Sequence, residues 1–131
     1  MFAPLARLLP VLSFIVAVAA HVPAHALGQP YEQSLFDRLQ AQGQPTLIWI
    51  HADWCPTCKA QGQILPTLLD RPELRAITVL KVDFDSQKPL VRHFRAIQQS
   101  TLVMYRGGRE VGRSIGDTNP ASLRALLART P

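Results

Sequence analysis

The chain has only two cysteines, and they stand at C-x-x-C spacing within Trp54-Cys55-Pro56-Thr57-Cys58-Lys59. At this spacing one thiolate can attack a disulfide, and the second thiol, one helical turn away, can resolve the mixed disulfide. The attacking sulfur must be ionised. A helix N-terminus favours that, because its unpaired N–H groups and positive dipole end stabilise a negative sulfur. Pro56 suits the first helical turn, where the N–H that proline lacks would have no partner. A disulfide closing so small a loop adds little stability, so the pair reads as chemical rather than structural.

Strands and helices must hold that pair. The apolar run 46–50 reads as a buried strand, extended to 46–52 and opened by Pro45, and it feeds the cysteines into a helix starting near Pro56. Ile64, Leu65, Leu68 and Leu69 form that helix's apolar face, and Gly62 and Pro66 predict a kink or break near Pro66. Before the strand, Leu35, Phe36 and Leu39 at helical spacing predict a helix over 31–42, stopped by Gly43. After the central helix, residues 70–73 read as a cap and a short turn. A mostly apolar strand follows over 77–84, of the kind covered on both faces, and then a helix over 86–96. Strands over 101–106 and 110–114 are joined by Gly107-Gly108, a hairpin signal. Asn119-Pro120 caps a last helix whose Leu123, Leu126 and Leu127 face inward.

The N-terminus reads as an export signal over 1–26. Arg7 is its only charge, residues 8–20 are apolar apart from Ser13, and Ala24-His25-Ala26 supplies the small residues of a cleavage site. An apolar stretch this short falls below the about 20 residues of a spanning helix, although an uncleaved anchor stays open. His21 and His25 leave with the signal. Cleavage leaves one domain over 27–131 and, with Arg7 gone, takes the net charge from +5 to +4. The charges are spread along the chain, so a solvated basic surface is expected rather than a nucleic-acid site. Export places the thiols in a periplasmic compartment where disulfides persist, and a partner must then set their redox state.

The element order gives an α/β fold, a central mixed sheet with helices on both faces and the C-x-x-C at the N-terminus of the helix after the first strand. From about Tyr31 to the C-terminus the chain resembles the thioredoxin-fold family. Three segments carry the likeness: Ala52-Asp53-Trp54-Cys55-Pro56-Thr57-Cys58-Lys59, Val79-Leu80-Lys81-Val82-Asp83, and the run from Ser100 to Gly108. Within the family, the Ala-Asp-Trp-Cys-x-x-Cys-Lys pattern is similar to the C-terminal domain of the transmembrane thiol–disulfide interchange protein. Trp-Cys-Pro-Thr-Cys is similar to the thioredoxin-like proteins of cytochrome c maturation. These likenesses imply an envelope disulfide reductase fed electrons by a membrane thiol donor, acting on exported disulfide-containing proteins.

Two positions depart from the family pattern. The family's cis-proline, which lies against the cysteines and presents backbone to the substrate, falls at Ser100. A cis bond before a non-proline residue costs about 2.5–4 kcal/mol, so a trans Gln99–Ser100 bond is expected, reshaping the groove and exposing the sulfurs more. The family's buried carboxylate, thought to manage the proton of the second thiol, falls at Trp49; Asp53 or Lys81 are the groups left to substitute for it.

The resemblance assigns Cys55 as the exposed nucleophile and Cys58 as the resolving thiol, the two forming the redox-active disulfide. Trp54 is expected to shield the pair and offer apolar surface to a partner, with a plain core role as the alternative. Pro56 and Thr57 tune the sulfurs through helix geometry, Lys59 either favours thiolate or is solvated, and Gln99, Ser100 and Thr101 contact substrate. The reaction needs no cofactor and no metal. A second reading joins His51 to Cys55 and Cys58 as a copper or zinc ligand set, although strand alternation puts His51 on one face with Asp53. An oxidant or isomerase using the same residues, and a redox-inactive binding or chaperone module, stay open. Lys88, Arg92 and Arg95 read as one solvated helix face, with docking to an acidic partner as the alternative. A monomer is the default.

Overall fold

The structure, a computed structural model, describes residues 27–129; the export signal expected over 1–26 lies outside the described residues. Its elements in chain order are β1 (Gln29–Pro30), α1 (Gln33–Ala41), β2 (Thr46–His51), α2 (Pro56–Leu69), β3 (Thr78–Asp83), α3 (Lys88–His93), β4 (Thr101–Arg106), β5 (Arg109–Ile115) and α4 (Pro120–Leu127). The strands form one sheet in the order β1-β3-β2-β4-β5. β3 runs parallel to both β1 and β2, whereas β4 runs antiparallel to β2 and β5. This is the mixed sheet the sequence predicts, with one addition. The two-residue β1, too short to leave a pattern, makes the cysteine-bearing helix follow the second strand.

Alternation along β2 assigns the two faces. Leu47 and Trp49 pack with the cysteines, with Leu65 and Leu68 of α2, and with Leu123, Leu126 and Leu127 of α4. Ile48 and Ile50 point the other way, into a cluster with Phe36 of α1, Val91 of α3, and Tyr31, Phe94 and Val103. Helices α2 and α4 therefore cover one face and α1 and α3 the other. Burying both sides of β2 and β3 is what fixes the register of the central strands.

Helix ends follow local chemistry. Gly43, at φ +68°, closes α1 with Gln44 N–H donating to Leu39 O at 2.8 Å, a left-handed cap that glycine adopts without strain. Asn119 caps α4 by accepting the Ala121 and Ser122 N–H groups. Gly107 and Gly108, both at positive φ, make the two-residue turn between β4 and β5.

Of the kink or break expected near Pro66 the break does not occur, and α3 is shorter than expected. Helix α2 runs unbroken through Pro66, with Asp70 N–H donating to Pro66 O at 3.0 Å. Proline's cost of about 3 kcal/mol is offset because Leu65 and Leu68, on either side of it, are buried. Helix α3 is shorter than 86–96. At its start the Asp83 carboxylate takes the Asp85 and Ser86 N–H groups into a turn. At its end Arg95 sits at φ +53°, with Ala96 N–H donating to Val91 O and Arg95 N–H to Arg92 O, a helix stop usually made with glycine. Arg95 thus lies outside the helix and bonds Glu110 at 3.0 Å, while Lys88 Nζ sits 3.8 Å over the Phe84 ring. The expected three-residue basic helix face does not form.

Candidate active site

Strand β2 ends at His51, and a tight turn places Cys55 at the N-cap of α2 with Pro56 in the first turn. Cys55 N–H donates to Ala52 O at 3.1 Å, and Cys55 Sγ accepts the Cys58 N–H at 3.0 Å. The sulfur thus plays the part that a serine or aspartate oxygen usually plays at a cap. It faces the unpaired N–H groups and the positive end of the helix dipole, where negative charge is stabilised.

Both cysteines are free thiols, and both are buried, Cys55 at 1% exposure and Cys58 at 0%. Expectation had Cys55 exposed and the sulfurs laid more open by a trans bond at Ser100. Among the described residues no peptide bond is cis, so the bond is trans, but the sulfurs are covered. The Ser100 backbone lies beside the Cys58 thiol. Ser100 takes φ +60°, its N–H donates to Ile50 O at 2.7 Å, and its carbonyl accepts the Gly116 N–H at 3.0 Å. Thr101 Oγ donates to Gln98 O at 2.8 Å, and Ser100 Oγ donates to Gln99 O. The turn is thus tied to the ends of β2 and β5.

The two thiols have different surroundings. Burial, and secondarily the hydrogen bond with Cys55, pushes the Cys58 thiol up from 9.0 to about 11, while the backbone of Ala52 and Ser100 pulls the other way. Cys58 is therefore held protonated at neutral pH, and the sulfur in position to start a reaction is Cys55.

Neither expected substitute for a buried carboxylate reaches Cys58. The Asp53 side chain is 93% exposed and lies 3.6 Å from His51 Nδ1. Lys81 acts on His51, whose pKa is lowered by burial and then by that lysine, against an opposing pull from Asp53 and Asp83. His51 packs edge-on against Trp49, with ring centroids 4.6 Å apart. Among the described residues no three histidine, cysteine or acidic side chains gather as a metal site, so His51 does not join the cysteines as a ligand set.

Trp54 is 59% exposed, which excludes the core alternative, and its indole N–H donates to Asp85 Oδ2 at 2.7 Å. That bond orients an apolar plane beside Cys55. Two residues that sequence reasoning passed over are also exposed, Ile97 before the Ser100 turn and Ile115, which pairs with Thr101. A third omission is Gln61, fully buried one turn beyond Cys58. Its Oε1 accepts the Trp49 indole N–H at 3.0 Å, and its Nε2 donates to Ser100 O at 3.0 Å and to Asp117 O at 3.1 Å. A polar residue among apolar helix positions was the available signal. Pro56, Thr57 and Lys59 lie toward the surface of the same turn.

Comparison with known proteins agrees with this geometry. The thioredoxin family model matches residues 29–129. Thioredoxin of Chlamydia trachomatis is 35% identical over 83 residues, covering 63% of this chain and 79% of that protein. The bifunctional thioredoxin reductase/thioredoxin of Mycobacterium leprae is 27% identical over 92 residues, and there the match spans only 20% of the longer protein. Among solved structures, Trxlp of Edwardsiella tarda superposes with a TM-score of 0.73 at 48% identity, over 76% of this chain and 97% of that one. Thioredoxin of Trypanosoma brucei brucei gives a TM-score of 0.64 at 27% identity, over 80% and 92%. With its cysteine pair at the start of α2, the chain belongs to the thioredoxin family of thiol–disulfide oxidoreductases.

Proposed function

We propose that the protein is exported and reduces disulfides in envelope proteins, with Cys55 as nucleophile and Cys58 as resolving thiol. The observation that carries this reading is the asymmetry of the pair. Cys55 Sγ sits at the helix N-cap on the Cys58 N–H, whereas Cys58 is buried with its pKa pushed up to about 11.

In the first step the Cys55 thiolate attacks one sulfur of a substrate disulfide. The S–S bond breaks, a mixed disulfide forms, and a substrate thiolate leaves. Cys58 must give up its proton before it attacks, and the departing substrate thiolate is the base that receives it. The Cys58 thiolate then attacks Cys55 Sγ, releasing the second substrate sulfur as a thiolate that picks up a proton. The substrate has gained two electrons and two protons, and the protein is left with a Cys55–Cys58 disulfide. A membrane thiol donor returns the electrons. Trp54, with its indole held by Asp85, offers apolar surface to the substrate. Periplasmic export is supported by Arg7, the apolar stretch after it and Ala24-His25-Ala26.

The test is the reduction potential of the purified protein, equilibrated in thiol buffers, together with cell fractionation of the full chain. A potential near or below about −250 mV is expected for a reductase, close to that of thioredoxin. A value of about −120 to −180 mV would make it an oxidant or isomerase, and recovery of the chain in the cytoplasm would remove the export reading.

A further inference from the structure

We propose that Gln61 is a positioning residue for the exchange reaction. From one turn beyond Cys58 it fixes the backbone of the Ser100 turn, so that the turn meets substrate in one conformation. This inference rests on the reductase reading above.

The amide is fully engaged and can sit only one way round. The Trp49 indole is a donor and must face the oxygen; the Ser100 and Asp117 carbonyls are acceptors and must face the nitrogen. Both amide hydrogens are thus spent on two backbone carbonyls from two different segments, one in the turn over the cysteines and one before α4. The Ser100 carbonyl takes a second bond from the Gly116 N–H. Ser100 needs such support, because a non-glycine residue at φ +60° is strained and persists only where its surroundings fix it. No proline ring stiffens this turn. A side chain rooted in α2, the helix that also carries both cysteines, ties the turn rigidly to the sulfurs instead.

A merely structural role would make Gln61 and Trp49 equivalent, since they share one hydrogen bond. The test separates them. Gln61→Met removes both donors to the carbonyls, whereas Trp49→Phe removes the indole N–H with part of the buried ring and leaves both Gln61 donors on the turn. Each variant is measured for amide hydrogen exchange at Ser100 and Gly116, for kcat/KM on a protein disulfide (insulin) and for its rate with a small aromatic disulfide. The expected result is that both variants lose stability, but only Gln61→Met speeds exchange at the two amides. It also lowers kcat/KM on insulin by about tenfold, the scale of one lost hydrogen bond, while the small-disulfide rate holds. Equal exchange in the two variants, or an equal drop on both disulfides, would overturn the proposal. If the wild-type protein does not reduce insulin, the reductase reading fails, and the exchange comparison still decides whether Gln61 positions the turn. Should Gln61→Met not fold, Gln61→Glu keeps the shape and the Trp49 bond and replaces the amide donors with an acceptor, with the same readouts.

Discussion

The two faces of the sheet are built from different materials. Under α1 and α3, Phe94 stands at the centre of an aromatic cluster, meeting Tyr31, Phe36 and Tyr105 at centroid distances of 5.3, 5.9 and 6.0 Å. A buried polar pair there, Gln40 and Thr46, bonds to itself and to the Gly108 N–H of the hairpin. Under α2 and α4 the core is equally buried, yet it carries two thiols, an indole N–H and an amide. Buried polar groups are costly unless paired, and on this face the pairings converge on the cysteines and the Ser100 turn. The difference teaches that one face stabilises the fold while the other supplies the reaction, so that mutations should separate the two properties.

The largest effect expected is on the reactive face. Cys55→Ser abolishes exchange outright without unfolding the protein, whereas Cys58→Ser still attacks and accumulates a substrate mixed disulfide, seen as a mass increase on non-reducing separation. Accumulation in Cys55→Ser instead would reverse the roles. On the opposite face, Phe94→Ala should cost about 3–5 kcal/mol in urea unfolding, while the surviving folded fraction keeps its thiol reactivity. Loss of reactivity in step with stability would mean that the faces are not independent.

A pH series sharpens the comparison further. Cys58 in the folded, reduced protein has its pKa raised from 9.0 to about 11, so the folded state holds that proton longer than the unfolded chain does. Its contribution to stability is complete below about pH 9 and is lost as pH rises toward and through 11. Reduced wild-type protein should therefore lose more stability between those limits than Cys58→Ala. Tyr31, raised to about 12, adds the same trend to both proteins and cancels in the difference. Equal slopes would show that Cys58 is not held protonated by the fold. The smallest effect belongs to neither face: Asn119→Ala, which removes the α4 cap, should cost about 1 kcal/mol and leave exchange chemistry unchanged.

Much of this was legible in the sequence because it is written in local chemistry. Glycine stops, the Asn119-Pro120 cap, the Gly107-Gly108 turn and the strand preceding the cysteines are each carried by a few neighbouring residues. What stayed hidden depends on distant partners. Nothing near Pro66 says that burial of Leu65 and Leu68 will carry α2 through it. Arg95 gives no sign of ending a helix, because its left-handed conformation is that of a residue usually glycine. Ser100 is held from β2, from Gly116 after β5 and from α2 at once. Gln61 shows the same limit, since its three partners lie 12, 39 and 56 residues away. Asp53, adjacent in sequence to the active turn, proved to face solvent.

The fold makes two neighbouring thiols unequal by burying Cys58 as a protonated thiol, and that state can be read on Cys58 alone. Ultraviolet thiolate absorbance of Cys55→Ser, followed against pH, reads that one sulfur. The expected titration is displaced well above the ordinary thiol value toward about 11, since burial, the largest cause, survives the substitution. A midpoint at or below about 8.5, the value of a free cysteine, would contradict it.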